Sequence, residues 1–300
     1  MCGKEGFCGD NRSQGRGEMN ACRSLVLFYL LATVSSAALN DPFCVGYSMA
    51  NNGTIMQTNG ISGRQPWIPA CFFSDSSEFG LSICGIDYYD LMDDPDNGHI
   101  GQVVAGGWYA LGKFVVKGSY AYFNAMDLYG EHQGYCSIGY SPVRHINASI
   151  EVSGLRAGLL HGNETHATLS QAGASLLVYG KTTAISLSCK HVPLQRAALS
   201  GFDPPLTVSG GIHASFNRYG SQGIVGELTH DEDWTFRFSV GEEYCWNDYF
   251  SLCGAVATNP FTVYFGCTIV AGRSGIAFAM ANHPILGWSK GLTLEYAYGR

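Results

Sequence analysis

The sequence predicts an all-β protein, an up-and-down antiparallel transmembrane β-barrel of about fourteen strands with an irregular plug-like segment in front of it. Three observations predict it. Segment after segment alternates apolar and polar residues with a period of two, the chain is poor in charge, and long connections alternate with short ones.

The N-terminus is read first. Met19-Asn20-Ala21-Cys22-Arg23 supplies a short basic start, 24–34 an apolar core, and Ser35-Ser36-Ala37-Ala38 small residues for cleavage. Residues 19–38 therefore read as a secretory signal peptide, too short for a spanning helix, which needs about 20 apolar residues. Residues 1–18, polar and glycine-rich, are either an over-long gene start or a real extension. Cleavage leaves a mature chain beginning near Ala38 or Leu39. No other stretch approaches the length of a spanning helix, so the exported chain is either a soluble secreted β protein or a barrel in a bacterial outer membrane.

Residues 39–77 are punctuated by Asn51-Asn52-Gly53, Asn59-Gly60 and Gln65-Pro66-Trp67, and read as a plug-like segment packed inside or beneath the barrel. The barrel occupies 78–300. Its strands are expected at 78–88, 100–111, 113–124, 132–142, 144–155, 166–178, 182–193, 206–217, 221–230, 233–243, 247–257, 261–271, 273–283 and 288–298. Each is near the ~9–11 residues that a tilted membrane strand requires.

The two faces of these strands differ in kind. Trp234, Phe236, Phe238 and Val240 oppose Thr235, Arg237 and Ser239; Ile146, Ala148, Ile150 and Val152 oppose Asn147, Ser149, Glu151 and Ser153; Leu292, Leu294, Tyr296 and Tyr298 oppose Thr293, Glu295 and Ala297. A sandwich facing bulk water would load its polar face with charge. Here that face is Ser, Thr, Gly, Ala and Asn with single ionisable residues, which suits a confined lumen. Lys117, Glu151, Lys190, His213, Glu227, Arg237 and Glu295 are the candidate lumen-lining residues.

The connections give an independent sign. Those at 89–99, 125–131, 156–165 and 194–205 are long, while those at 111–113, 141–143, 179–181, 217–220 and 272–273 are tight, as in outer-membrane barrels. Aromatic residues near strand ends (Tyr88, Tyr89, Tyr120, Tyr122, Tyr140, Trp234, Trp246, Tyr249, Trp288 and Tyr298) suit two interfacial girdles.

Composition excludes several functions. The 300 residues are 46% hydrophobic and 14% charged, against roughly 25% charged in soluble domains. A net charge of -7 without any basic cluster excludes nucleic acid as a partner. Three of the 11 cysteines, Cys2, Cys8 and Cys22, precede the cleavage site. The rest sit singly in strand-like runs and are expected to be small apolar side chains rather than a disulfide framework. No zinc-type Cys/His spacing occurs, and Asp93-Asp94-Pro95-Asp96-Asn97-Gly98 lacks the spacing and final Glu of a calcium loop, reading better as a solvated turn. No nucleophile motif ties the histidines to an acid and a serine, so neither enzyme activity nor a cofactor is expected.

The motifs of the C-terminal third are Val240-Gly241-Glu242-Glu243-Tyr244, Phe250-Ser251-Leu252-Cys253-Gly254-Ala255, Thr258-Asn259-Pro260-Phe261-Thr262, Ala279-Met280-Ala281-Asn282-His283-Pro284-Ile285-Leu286-Gly287 and Leu292-Thr293-Leu294-Glu295-Tyr296. In these the chain resembles PorV/PorQ-type outer-membrane proteins, related to the FadL-like barrels. The resemblance implies fourteen strands and an N-terminal plug. For FadL-like members it implies carriage of hydrophobic molecules, and for the PorV branch protein secretion and surface attachment. Together these readings give a monomeric barrel in outer-membrane lipid that binds or passes a small or hydrophobic/amphiphilic solute through its lumen. The alternative is a non-transporting scaffold that docks a secreted protein on its outer loops.

Overall fold

The structure, a computed structural model, describes residues 70–72, 78–88, 100–159, 166–180, 182–195, 206–215, 220–230, 234–247, 249–259, 261–283 and 287–299. The expected signal peptide, most of the plug-like segment, Tyr89 and the Asp93 to Gly98 turn lie outside these residues. A single 3-10 turn, Ala70–Phe72, precedes fourteen strands. They are β1 Phe79–Asp87, β2 Ile100–Leu111, β3 Phe114–Ala125, β4 Tyr129–Val143, β5 Ile146–Leu159, β6 His166–Tyr179, β7 Thr183–Gln195, β8 Leu206–Ser215, β9 Gly220–His230, β10 Trp234–Asn247, β11 Phe250–Ala257, β12 Thr262–Ala271, β13 Ser274–His283 and β14 Gly287–Tyr298. Each strand pairs antiparallel with its neighbours in sequence, and β1 closes on β14 from Phe79↔Tyr298 to Asp87↔Lys290. The result is a closed barrel, in which no wall strand is left with an unpaired edge.

Alternation of side chains decides which way each strand faces. Ser82, Cys84 and Ile86 of β1 point inward while Leu81 and Ile83 point out, and β14 alternates without a break. The outward face is unlike that of a water-soluble sheet. Leu81 is 60% exposed, Ile150 63% and Phe236 54%, and such residues continue around the whole wall. A belt this large exceeds any apolar patch tolerated in water, at ~1.5–3 kcal/mol for each large side chain left unburied. Surrounding hydrocarbon removes that cost, and the closed hydrogen-bond ladder removes the other obstacle to membrane insertion. Among the described residues no helix is long and apolar enough to cross a membrane.

All fourteen expected strands are present, with three local corrections. The loop expected at 125–131 is a tight turn: Met126 and Asp127 adopt positive φ of 54° and 56°, and the Leu128 amide donates to the Ala125 carbonyl at 3.0 Å. β4 therefore starts at Tyr129 and takes Glu131 into the wall. Tyr88, expected in a girdle, turns inside, where its hydroxyl donates to Gln102 Oε1 at 2.7 Å and its ring meets Phe123 edge-on. It follows outward-facing Asp87, so strand parity outweighs the preference of tyrosine for an interface. Cys84, expected as a plain apolar filler, is disulfide-bonded, whereas Cys71, Cys136, Cys189, Cys245, Cys253 and Cys267 are free.

Candidate functional site

Strand parity places the candidate lumen residues. Lys117, Glu151, His213 and Glu295 are buried, and Lys190, Glu227 and Arg237 are half-buried. They fall into two groups on different arcs of the wall.

The first group surrounds the 3-10 turn. The Ala70 amide donates to Ser137 Oγ at 3.0 Å, and Asn147 Nδ2 donates to the Cys71 carbonyl at 2.9 Å, so the turn is hydrogen-bonded to the inner faces of β4 and β5. Gly139 makes this approach possible, because a Cβ there would lie 2.9 Å from Ala70. Beside the turn, the Tyr135 hydroxyl donates to Glu151 Oε2 at 2.8 Å. Gly173 on β6 leaves the space that the Glu151 carboxyl occupies, and a Cβ there would fall on Oε1. Lys117 is fully buried on the inner face of β3, and Glu295 on β14 is buried on the same inner surface. In the register Glu295 faces Ser82, Ser82 faces Gly106 and Gly106 faces Ser119. Gly106 lets β3 pack closely against β2 there, because a Cβ would lie 2.7 Å from Ser119 Cα.

The second group lines β7 to β12. Glu227 stands directly opposite Arg237 in the register, and the Arg237 guanidinium donates to the Tyr264 hydroxyl at 2.6 Å. Ser209, the other neighbour of Glu227, shares a 2.6 Å hydrogen bond with Ser188. Lys190 faces Thr207, and His213 faces Gly223. Parity reading missed His191. A bulge between β6 and β7, with His191 at φ 61°, brings its Nδ1 to 2.7 Å from Gln171 Oε1. Glu131 and Glu243 were also missed: Glu131 lies just before the expected strand 132–142, while Glu243 falls inside 233–243 on the inward parity of Arg237.

Among the described residues the interior carries a polar, hydrogen-bonded cluster around the turn, a line of mixed charges on β7 to β12, and apolar side chains including Ile86, Val104, Phe123 and Leu177. Two grooves lie on the outer wall. A groove of about 500 Å³ runs along β1 between β14 and β2, with Gly85 and Gly101 in its floor, Val103, Tyr122, Phe278 and Leu292 around it, and Asp87, Asn124 and Lys290 at its edge. A second, of about 560 Å³, continues past Leu81, Ile83, Ala105 and Leu294.

Solved structures share this architecture. The toluene transporter TbuX of Ralstonia pickettii aligns with a TM-score of 0.60 at 11% identity, over 85% of this chain and 98% of the other. The CymD monoaromatic hydrocarbon channel gives 0.61 at 9%, over 86% and 98%. A FadL homologue of Pseudomonas aeruginosa gives 0.57 at 11%, over 86% and 98%. The fold is FadL-like. At these identities the likeness is one of fold, and no protein-family model and no curated protein sequence matches the chain.

Within the FadL-like barrel, Cys71 reports on the seating of the turn. Burial pushes its thiol up to about 12, so the reactive thiolate is absent at neutral and mildly alkaline pH. Iodoacetamide at pH 8 should leave Cys71 unmodified in the folded protein and modify it after boiling. Free, exposed Cys136 on the outer wall should react with a membrane-permeant maleimide before boiling. Mass-spectrometric mapping reads both, and rapid native labelling of Cys71 would mean that the turn does not stay seated.

Proposed function

We propose that the protein is an outer-membrane channel for small hydrophobic or amphiphilic solutes. The observation that carries this reading is the closed FadL-like barrel with grooves along its wall and a line of half-buried charges on its inner face. Lys117, Glu151 and Glu295 are buried on the inner face beside the turn, and the grooves along β1 suit largely apolar molecules. The similar solved structures described as a toluene transporter and a monoaromatic hydrocarbon channel support the same class of solute. In this reading Lys190, His213, Glu227 and Arg237, on the arc away from the turn, line the route, and selection among solutes is by shape and a few fixed charges, without a cofactor.

The test is uptake of radiolabelled toluene by cells with and without the protein, after fractionation and a heat-shifted gel band establish a folded outer-membrane barrel. Expression should raise uptake several-fold while planar bilayers show no large steady ion conductance. Arg237→Ala with Glu227→Ala should change uptake and leave the heat shift intact; unchanged flux through folded double-variant barrels would remove these residues from the route. The scaffold reading draws on the PorV/PorQ-like motifs of the C-terminal third. It would be favoured by a stoichiometric secreted partner co-purifying with a barrel that takes up no toluene.

A further inference from the structure

On the outer wall, away from the lumen, β3, β4, β5 and β6 present an aromatic patch around Arg156. His132 of β4 and Arg156 of β5 face each other in the register, both exposed, with Tyr122 of β3 opposite His132 and Thr168 of β6 opposite Arg156. The His132 ring lies 4.9 Å from the Tyr122 ring and 6.1 Å from that of Tyr120, whose hydroxyl bonds to His132 Nδ1. In the tautomer whose Nδ1 accepts the hydroxyl proton, Nε2 carries the ring proton and can donate. The outward positions of β3 to β6 carry no acidic residue, and Asp127 in the β3–β4 turn is held by Asn124 Nδ2 at 2.7 Å. Among the described residues Arg156 has no ion-pair partner.

The wall is recessed around this pair. Gly134 faces Gly154 on one side of it and Gly130 faces Gly158 on the other. A Cβ added at Gly134 or Gly154 would meet nothing within 4 Å, so these glycines leave open space beside His132 and Arg156.

Height fixes what lies opposite. Along β5 the outward residues Ile146, Ala148, Ile150 and Val152 are apolar before Gly154 and Arg156 follow. About ten residues at ~3.3 Å each, tilted by ~40°, rise about 25 Å, the height of a barrel's apolar band. Arg156 therefore stands at the upper edge of the band, at the rim away from the tight Arg144-His145 turn, where lipid headgroups begin.

We propose that the His132–Arg156 recess binds the phosphate of a phosphorylated glycolipid of the outer leaflet. The guanidinium fork engages the phosphate oxygens and His132 Nε2 donates a further hydrogen bond. The glycine floor accepts the adjoining sugar or acyl chain. The interaction is with the surrounding membrane and does not depend on the transport reading.

The experiment is native mass spectrometry of the detergent-folded full chain with added diphosphoryl lipid A, its fully dephosphorylated analogue, and phosphatidylglycerol. Wild-type protein should retain one diphosphoryl lipid A, at least ten-fold more of it than of the phosphate-free analogue, and less phosphatidylglycerol. R156Q with H132Q should lose that preference while keeping the heat shift. Equal retention of the phosphate-free analogue by wild-type protein, preference for phosphatidylglycerol, or undiminished preference in the folded double variant would each overturn the proposal. The wild-type comparison stands even if the variant does not fold.

Discussion

Replacing Lys117 by Met should destabilise the folded barrel by about 3–5 kcal/mol, because it leaves a buried carboxylate without its compensating cation. Lys117 is fully enclosed, and Glu295, across β1 and β2 from it, is 6% exposed. The side chain of Met fills the space of the lysine stem but supplies no charge, so the loss is electrostatic rather than steric. Urea unfolding in detergent, followed by the heat-shifted band, should show a lower midpoint for Lys117→Met. The double variant Lys117→Met/Glu295→Gln should recover most of the loss, since removing both partners leaves no isolated charge. An unchanged midpoint in the single variant would mean that water, another cation or protonation of Glu295 already balances the site.

Gly106→Ala should be still more damaging to assembly. A Cβ at this position would sit 2.7 Å from Ser119 Cα and closer yet to the Gly118 carbonyl oxygen, so it meets backbone of β3 rather than a movable side chain. Overpacking of well-packed sites costs ~1–3 kcal/mol where side chains can adjust, and more where a strand must move. The expected result is loss of most heat-shifted protein for Gly106→Ala, with accumulation of unfolded chain. Gly85→Ala is the matched control, because a Cβ there meets nothing within 4 Å and points out into the β1 groove. Equal assembly of the two variants would show that β2 and β3 can separate at little cost.

The period-two pattern made the strands, and the face each residue takes, readable from the sequence. Lys117, Glu151 and Glu295 follow inward positions already marked by serines, threonines and small residues, so their placement needed only parity. What parity cannot carry is anything that changes the count. The positive φ at Met126 and Asp127 tightens a turn that composition reads as a loop, and the bulge at His191 shifts a residue to the other face. Tyr88 shows the converse, a residue whose type suggested an interface and whose position in the alternation sent it inside. The docking of Ala70–Phe72 was beyond local reading for another reason. It depends on Ser137 and Asn147, more than sixty positions away in the chain, and on the missing side chain of Gly139.

The pairing of β1 with β14 also has a kinetic meaning. Every other ladder joins strands adjacent in sequence, and can form as soon as a hairpin emerges. The β1–β14 ladder joins the two ends of the wall, so it is the one loop closure that must wait for the whole sheet. Until then both terminal strands offer bare amides and carbonyls, which hydrocarbon cannot solvate and which invite pairing with other chains. The nascent sheet is thus most vulnerable just before completion, and a template that lends it a temporary edge would guard the seam between Phe79 and Tyr298 until the ring locks.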